Sequence, residues 1–167
     1  PITLQLGLIS FGIAIVVGIV IGVWMSVTKS EAVKGWILTA STVFISIPGF
    51  VLAIALMLIF GAKLKILPVL FDGSFKSYIL PITALAVYPI AEISRLIHSS
   101  YDEAMNQDYV TMARAKGIGK RRVMFLHVLK NALLPFITVC GPMLAFQITG
   151  SFVVESIFTI PGIGKEF

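Results

Sequence analysis

The chain has 167 residues, 57% of them hydrophobic and only 13% charged, with a formal net charge of +5 and a mean hydropathy of +0.99. Soluble domains carry about 25% charged residues, so this composition excludes a water-soluble globular domain; it also excludes a disordered chain, which needs few apolar residues and much charge. The single cysteine, Cys140, excludes an internal disulfide framework and a cysteine-rich metal site.

A basic balance points to nucleic acid only on a polar fold. In a chain this apolar, what matters is where the charges fall between the apolar runs. A transmembrane helix needs about 20 apolar residues to cross a hydrocarbon core of ~30 Å. Residues 1–28 contain no charge and form the first predicted span, in which Gly18 and Gly22 have the spacing of close helix contact. The second predicted span covers about 35–62 and is punctuated by Pro48 and Gly49. The third covers about 77–97, with Pro81 and Pro89 inside it and Arg95 able to reach the interface on its long stem. It holds Glu92, the only carboxylate inside a predicted span, and an i,i+3 ion pair with Arg95 is its first reading, ahead of a proton relay. The fourth covers about 131–154, with Pro135, Gly141 and Pro142. Each run is read as a helix because a lipid-spanning segment must satisfy its own backbone hydrogen bonds. The fold class is therefore all-α integral membrane protein, with four spans.

The prolines suit either kinks along a translocation path or ordinary bundle packing. Gln147, Thr83, Thr138 and Thr149 suit either solute contact or hydrogen bonds between helices. His98 and His127 have no partner at metal-ligand spacing, and no serine sits in a nucleophile elbow, so a membrane-embedded enzyme is not expected. Gly117-Ile118-Gly119-Lys120 and Gly162-Ile163-Gly164-Lys165 lack the earlier glycine and the following Ser or Thr of a phosphate loop. ATP is not bound by that route. Nine lysines and arginines fall on the side of the 29–34 and 95–130 segments, and four on the other. The positive-inside rule then puts the long loop, about 98–130, in the cytoplasm.

That loop is the most informative stretch. Ser100 and Glu103 have capping-box spacing, which predicts a fresh helix start just below the membrane. Asp108 is placed to cap a short helix over 109–116, and Gly117 to stop it in a left-handed conformation. Helical spacing puts Tyr109, Met112, Ala113 and Lys116 on one face. Ala113 and Ala115 keep the helix slim, while Arg114 and Lys116 charge its end. A longer helix is predicted from about Lys120 into the fourth span, with Lys120, Arg121 and Arg122 at headgroup level. A small capped helix between two membrane helices suits a groove on a soluble partner; a surface helix on anionic lipid fits the composition as well.

The string Asp108-Tyr109-Val110-Thr111-Met112-Ala113-Arg114-Ala115-Lys116-Gly117, followed by Arg121-Arg122-Val123 and Lys130-Asn131-Ala132-Leu133-Leu134-Pro135, resembles the cytoplasmic loop of ATP-binding-cassette (ABC) importer permeases. It is most similar to the dipeptide, oligopeptide and nickel branch. The B-type subunit of that branch also has a stretch like Phe152-Val153-Val154-Glu155-Ser156-Ile157-Phe158-Thr159-Ile160-Pro161-Gly162-Ile163-Gly164. Of the superfamily's general loop pattern, aligned without gaps on Gly117, this chain keeps Ala113, Gly117 and Leu129. Thr111 and Met112 stand where that pattern has Glu and Ala, and His127 and Lys130 where it has Ile and Pro.

The resemblance implies a type I ABC importer permease fold of six spans, four of them here, with one more expected before Pro1 and one after Phe167. It implies a coupling helix that docks on an ATPase subunit through Asp108, Tyr109, Met112, Ala113, Arg114, Ala115, Lys116 and Gly117. The implied partners are a second homologous permease subunit, two cytoplasmic ABC ATPase subunits, an extracytoplasmic solute-binding protein and the bilayer, with no nucleic acid. No cofactor is expected in this chain, since ATP and Mg belong to the ATPase subunits, and no enzymatic activity. The implied setting is the bacterial or archaeal cell (inner) membrane, with residues 155–167 external and near the docking place of the binding protein. Small peptides are the implied cargo, with nickel or another small solute as the alternative. Outside this class, an ATP-independent carrier or a membrane scaffold are the competing readings.

Overall fold

The computed structural model describes residues 2–165, which form helices and connecting loops without a strand. Helix α1 is Ile2–Val27 and α2 is Glu31–Ser46. Helix α3 is Gly49–Lys63, wound more widely, as a π-helix, over Met57–Lys63. Helix α4 is Phe75–Met105, α5 is Asp108–Ala115, and α6 is Lys120–Ile157, π-wound over Val123–Val128. A 3-10 turn, Ile163–Lys165, follows.

Among the described residues, α1, α4 and α6 are each long and apolar enough to cross a membrane. The run expected as one span over about 35–62 is instead two helices, α2 and α3, bent by 99°. The cause is local. Ile47 precedes a proline, which disfavours helical backbone, and it sits extended at φ −83 and ψ 121. Pro48 follows at φ −57 and ψ 135 before Gly49 restarts the helix. Counted as one broken span, this pair makes a fourth. Pro81 and Pro89, by contrast, lie inside α4, and Pro135 and Pro142 inside α6, without ending either helix.

Helices α1 and α4 meet through the glycine pair. A Cβ on Gly18 would lie 2.8 Å from Ile93 Cβ, and one on Gly22 would lie 2.7 Å from the Ser94 carbonyl. The two backbones are therefore in near contact, the use that small-residue spacing has in membrane helices. Replacing Gly22 with Val is expected to overpack this seam by about 1–3 kcal/mol. A lower midpoint in thermal unfolding of the detergent-purified full-length protein would register it; an unchanged midpoint would deny the close approach.

Helix α6 packs across both. Phe136 joins Ala14, Ile93 and Ile97 in one buried cluster. The Gln147 amide nitrogen donates to Ser10 Oγ at 3.0 Å and to the Leu85 carbonyl at 2.7 Å, tying α6 to α1 and α4. Of the two readings open for Gln147, the interhelical one is met. The hydroxyls of Thr83, Thr138 and Thr149 bond within their own helices, donating to the carbonyls of Ile79, Leu134 and Ala145.

Candidate functional site

Helix α4 does not restart at Ser100. It runs unbroken to Met105, and Ser100, Tyr101 and Ala104 form a buried face in its last turns. The capping-box spacing of Ser100 and Glu103 is thus not used as a cap, because that face is needed for packing. The chain turns at Asn106 and Gln107, and it is Gln107, extended at φ −80 and ψ 151, that stands at the cap position of α5. Asp108 is instead the first helical residue, where a carboxylate favours the positive end of the helix dipole. At the other end the Gly117 N–H donates to the Arg114 carbonyl at 2.9 Å and the Ile118 N–H to the Ala113 carbonyl at 3.2 Å. Gly117 has φ +76, the left-handed stop expected from its position.

What α5 buries differs from the predicted face by a small rotation. Val110 (0% exposed) and Ala113 (6%) point inward against Tyr101, Ala104, Val123, Val128 and Ala132. That cluster seats the short helix against the end of α4 and the start of α6. Met112 points away and is 59% exposed. Asp108, Arg114, Ala115, Lys116 and Gly117 are exposed too, and Tyr109 is half-buried. The Tyr109 hydroxyl is itself enclosed and has no hydrogen-bond partner among the described residues. Of the eight residues named from sequence, six therefore form a free outer surface, while Ala113 belongs to the packing beneath it. The basic residues Lys120, Arg121 and Arg122 extend this surface into the first turn of α6.

One expectation about a carboxylate is overturned. Glu92 does not pair with Arg95, whose guanidinium donates to Thr42 Oγ1 on α2 at 3.3 Å. A second carboxylate, beyond the predicted fourth span, is enclosed by the fold. Helix α6 continues to Ile157, so Glu155 lies within it, fully buried. Its Oε2 accepts from the Thr3 hydroxyl at 3.1 Å and the Gly164 N–H at 3.0 Å, and its Oε1 from the Ser151 hydroxyl at 3.1 Å. The Ile163 N–H donates back to Thr3 Oγ1 at 2.9 Å, and the Ile160 N–H to the Glu155 carbonyl at 2.9 Å. Phe158 and Ile160 are buried beneath this turn. A Cβ on Gly162 would run into the Glu155 carboxylate, so only glycine fits there. Thr159, β-branched, is held at φ 57, an uncommon conformation stored where surrounding contacts over-determine it. The second motif is thus a clasp between the start of α1 and the end of α6. Residues 166 and 167 of the segment expected outside lie beyond the described residues.

Long apolar helices, with a short helix seated between the ends of two of them and its outer face free, define a multi-span membrane protein. Residues 18–167 match the family described as "Binding-protein-dependent transport system inner membrane component", and the chain belongs to that family. It is 41% identical over 167 residues to the dipeptide transport system permease protein DppB of Bacillus subtilis (strain 168), covering 100% of this chain and 54% of that protein. It is 36% identical over 169 residues to the oligopeptide transport system permease protein OppB of Salmonella typhimurium, covering 100% of this chain and 55% of that one. The chain spans about half the length of the curated relatives it matches. A crystal structure described as an amino acid ABC transporter with histidines has the same fold, with a TM-score of 0.77 at 18% identity, over 99% of this chain and 72% of that one. The ABC permease fold implied by the sequence is the fold observed.

Proposed function

We propose that this chain is part of a permease subunit in an ATP-driven importer of small peptides, with α5 as its coupling helix. The relatives named for dipeptide and oligopeptide transport support the cargo. The observation that carries the mechanism is the build of α5: seated through Val110 and Ala113, stopped at Gly117, and free on its outer surface. In this reading the 98–130 loop faces the cytoplasm. Two ABC ATPase subunits bind there and supply ATP hydrolysis, a second homologous permease pairs with this one, and a solute-binding protein delivers cargo on the far side. The chain itself catalyses nothing.

ATP binding draws the two ATPase subunits together, and each groove carries its coupling helix along. A short helix packed against the ends of α4 and α6 passes that displacement into the spans, whereas an unpacked loop would absorb it. The cavity between the paired permeases then opens to alternate sides.

The test is gentle purification of the tagged full-length protein from its own membranes, with mass spectrometry of what accompanies it. A second permease and ATPase subunits are expected with the wild type. They are expected to be lost with Gly117→Val, because a β-branched residue at positive φ costs about 1–2 kcal/mol and unseats the helix end. Recovery of the wild-type protein alone, under conditions that keep known complexes intact, would favour a self-sufficient carrier or scaffold.

A further inference from the structure

Glu92 lies within the predicted third span, about 77–97, on α4. Its neighbour Ile93 packs on Gly18 in the seam between α1 and α4. A carboxylate within a span is costly and persists for a task, facing protein or water and not lipid. Among the described residues it has no ion-pair partner, and Arg95, the nearest candidate in sequence, is turned to Thr42. It lines a cavity of about 380 Å³ with Tyr88, Met143, Phe146 and Gln147. A second cavity of about 310 Å³ shares Tyr88, Phe146 and Gln147 and continues to the bend at Pro48. Each lies within the ~300–1,000 Å³ of small-molecule pockets.

The chemistry of the walls narrows the ligand. Both donors of the Gln147 amide are spent on Ser10 and Leu85. That leaves the Glu92 carboxylate, with the Tyr88 hydroxyl one turn before it and interacting with it, among the polar groups of an otherwise apolar lining. The Tyr88 and Phe146 rings of this lining stand 6.3 Å apart and tilted by 45°, and aromatic rings attract cations. A carboxylate beside aromatic faces attracts an ammonium and repels a carboxylate. Apolar walls around it accept side chains of varied shape. Resting on the peptide-importer reading above, we propose that Glu92 and Tyr88 form a subsite on the solute path that takes the free ammonium end of a small peptide.

The test uses the full-length assembly in proteoliposomes with its binding protein and ATPase subunits, and radiolabelled dialanine as the probe. Glu92→Gln is expected to cut dialanine uptake by about tenfold or more, the scale of one lost hydrogen bond to a charged group. Binding-protein-stimulated ATP hydrolysis is expected to survive in that variant, and Glu92→Asp to restore part of the uptake. Uptake by Glu92→Gln within about twofold of wild type overturns the subsite. Loss of stimulated hydrolysis and of subunit assembly also overturns it, and makes Glu92 an ion-pair partner of a neighbouring subunit. A wild-type assembly that hydrolyses ATP but takes up no dialanine overturns the peptide reading, and this inference with it.

Discussion

If α5 is the coupling helix proposed above, Met112→Asp in the full-length protein is expected to abolish uptake and strip away the ATPase subunits while leaving the chain in the membrane at its normal level. Met112 lies on the outer surface of α5, opposite Val110 and Ala113, and is 59% exposed. In the isolated chain a charge there stays in water, and such surface changes usually alter stability by no more than about 0.5 kcal/mol. Inside an ATPase groove the same charge is desolvated without a partner. A loss on the order of 2–4 kcal/mol, typical of an interface hot spot, corresponds to roughly thirtyfold to nearly a thousandfold weaker docking. Co-purification and transport read the effect, and normal values for both would remove α5 from the docking surface. Ala113→Asp is a poorer probe than its place in the loop motif suggests. Ala113 is 6% exposed within the packing beneath α5, so a carboxylate there unseats the helix itself and lowers stability together with coupling.

Glu155→Ala is expected to be the most destabilising single change at the opposite end of the bundle. It removes the acceptor for the Thr3 hydroxyl and the Gly164 N–H at once, while the Ser151 hydroxyl keeps the Ile148 carbonyl at 2.6 Å. Each buried polar group left without a partner costs about 1–3 kcal/mol. Gly162→Ala is expected to act in the same direction by a different route, since its Cβ would displace the Glu155 carboxylate and crowd Thr3 Oγ1 at 2.8 Å. Both variants should show a lowered unfolding midpoint in detergent and faster proteolytic cutting between Phe158 and Gly164. Glu155→Gln, which keeps the shape and one acceptor oxygen, should fall between them and the wild type. Gly162→Ala unfolding together with the wild type would mean that the clasp is looser than described.

The spans were legible because charge is excluded from them by a solvent penalty that acts residue by residue. The glycine seam of α1 was legible for a similar reason: spacing along one helix decides which positions share a face. The broken second span was only half legible. Pro48 and Gly49 announce a break, but whether the chain kinks or turns through 99° depends on what each half packs against. The rotation of α5 was not legible, since a helix of two turns takes its phase from the cluster that seats it. Val110, silent in the sequence, outranks Met112 there because Tyr101 and Val123 wait beneath it. Glu155 was hidden more deeply. Its partner Thr3 is 152 residues away in the chain, and no local pattern marks a carboxylate whose donors arrive from the other end of the fold. Arg95 misled in the opposite sense, being near Glu92 in sequence yet bonded across to α2.

The clasp and α5 lie at opposite ends of the same long helices. Thr3 and Ile163, 160 residues apart along the chain, share a hydrogen bond, so the bundle is pinched shut at that end. The other end is held by packing around a two-turn helix. On the coupling-helix proposal, a displaced α5 would swing the helices about the pinched end as a pivot. Helix α4, 31 residues long, is an arm of about 46 Å at 1.5 Å per residue. A tilt of only about 5° along an arm of that length moves its free end by roughly 4 Å. Most of that travel falls near α5, and very little near Glu155.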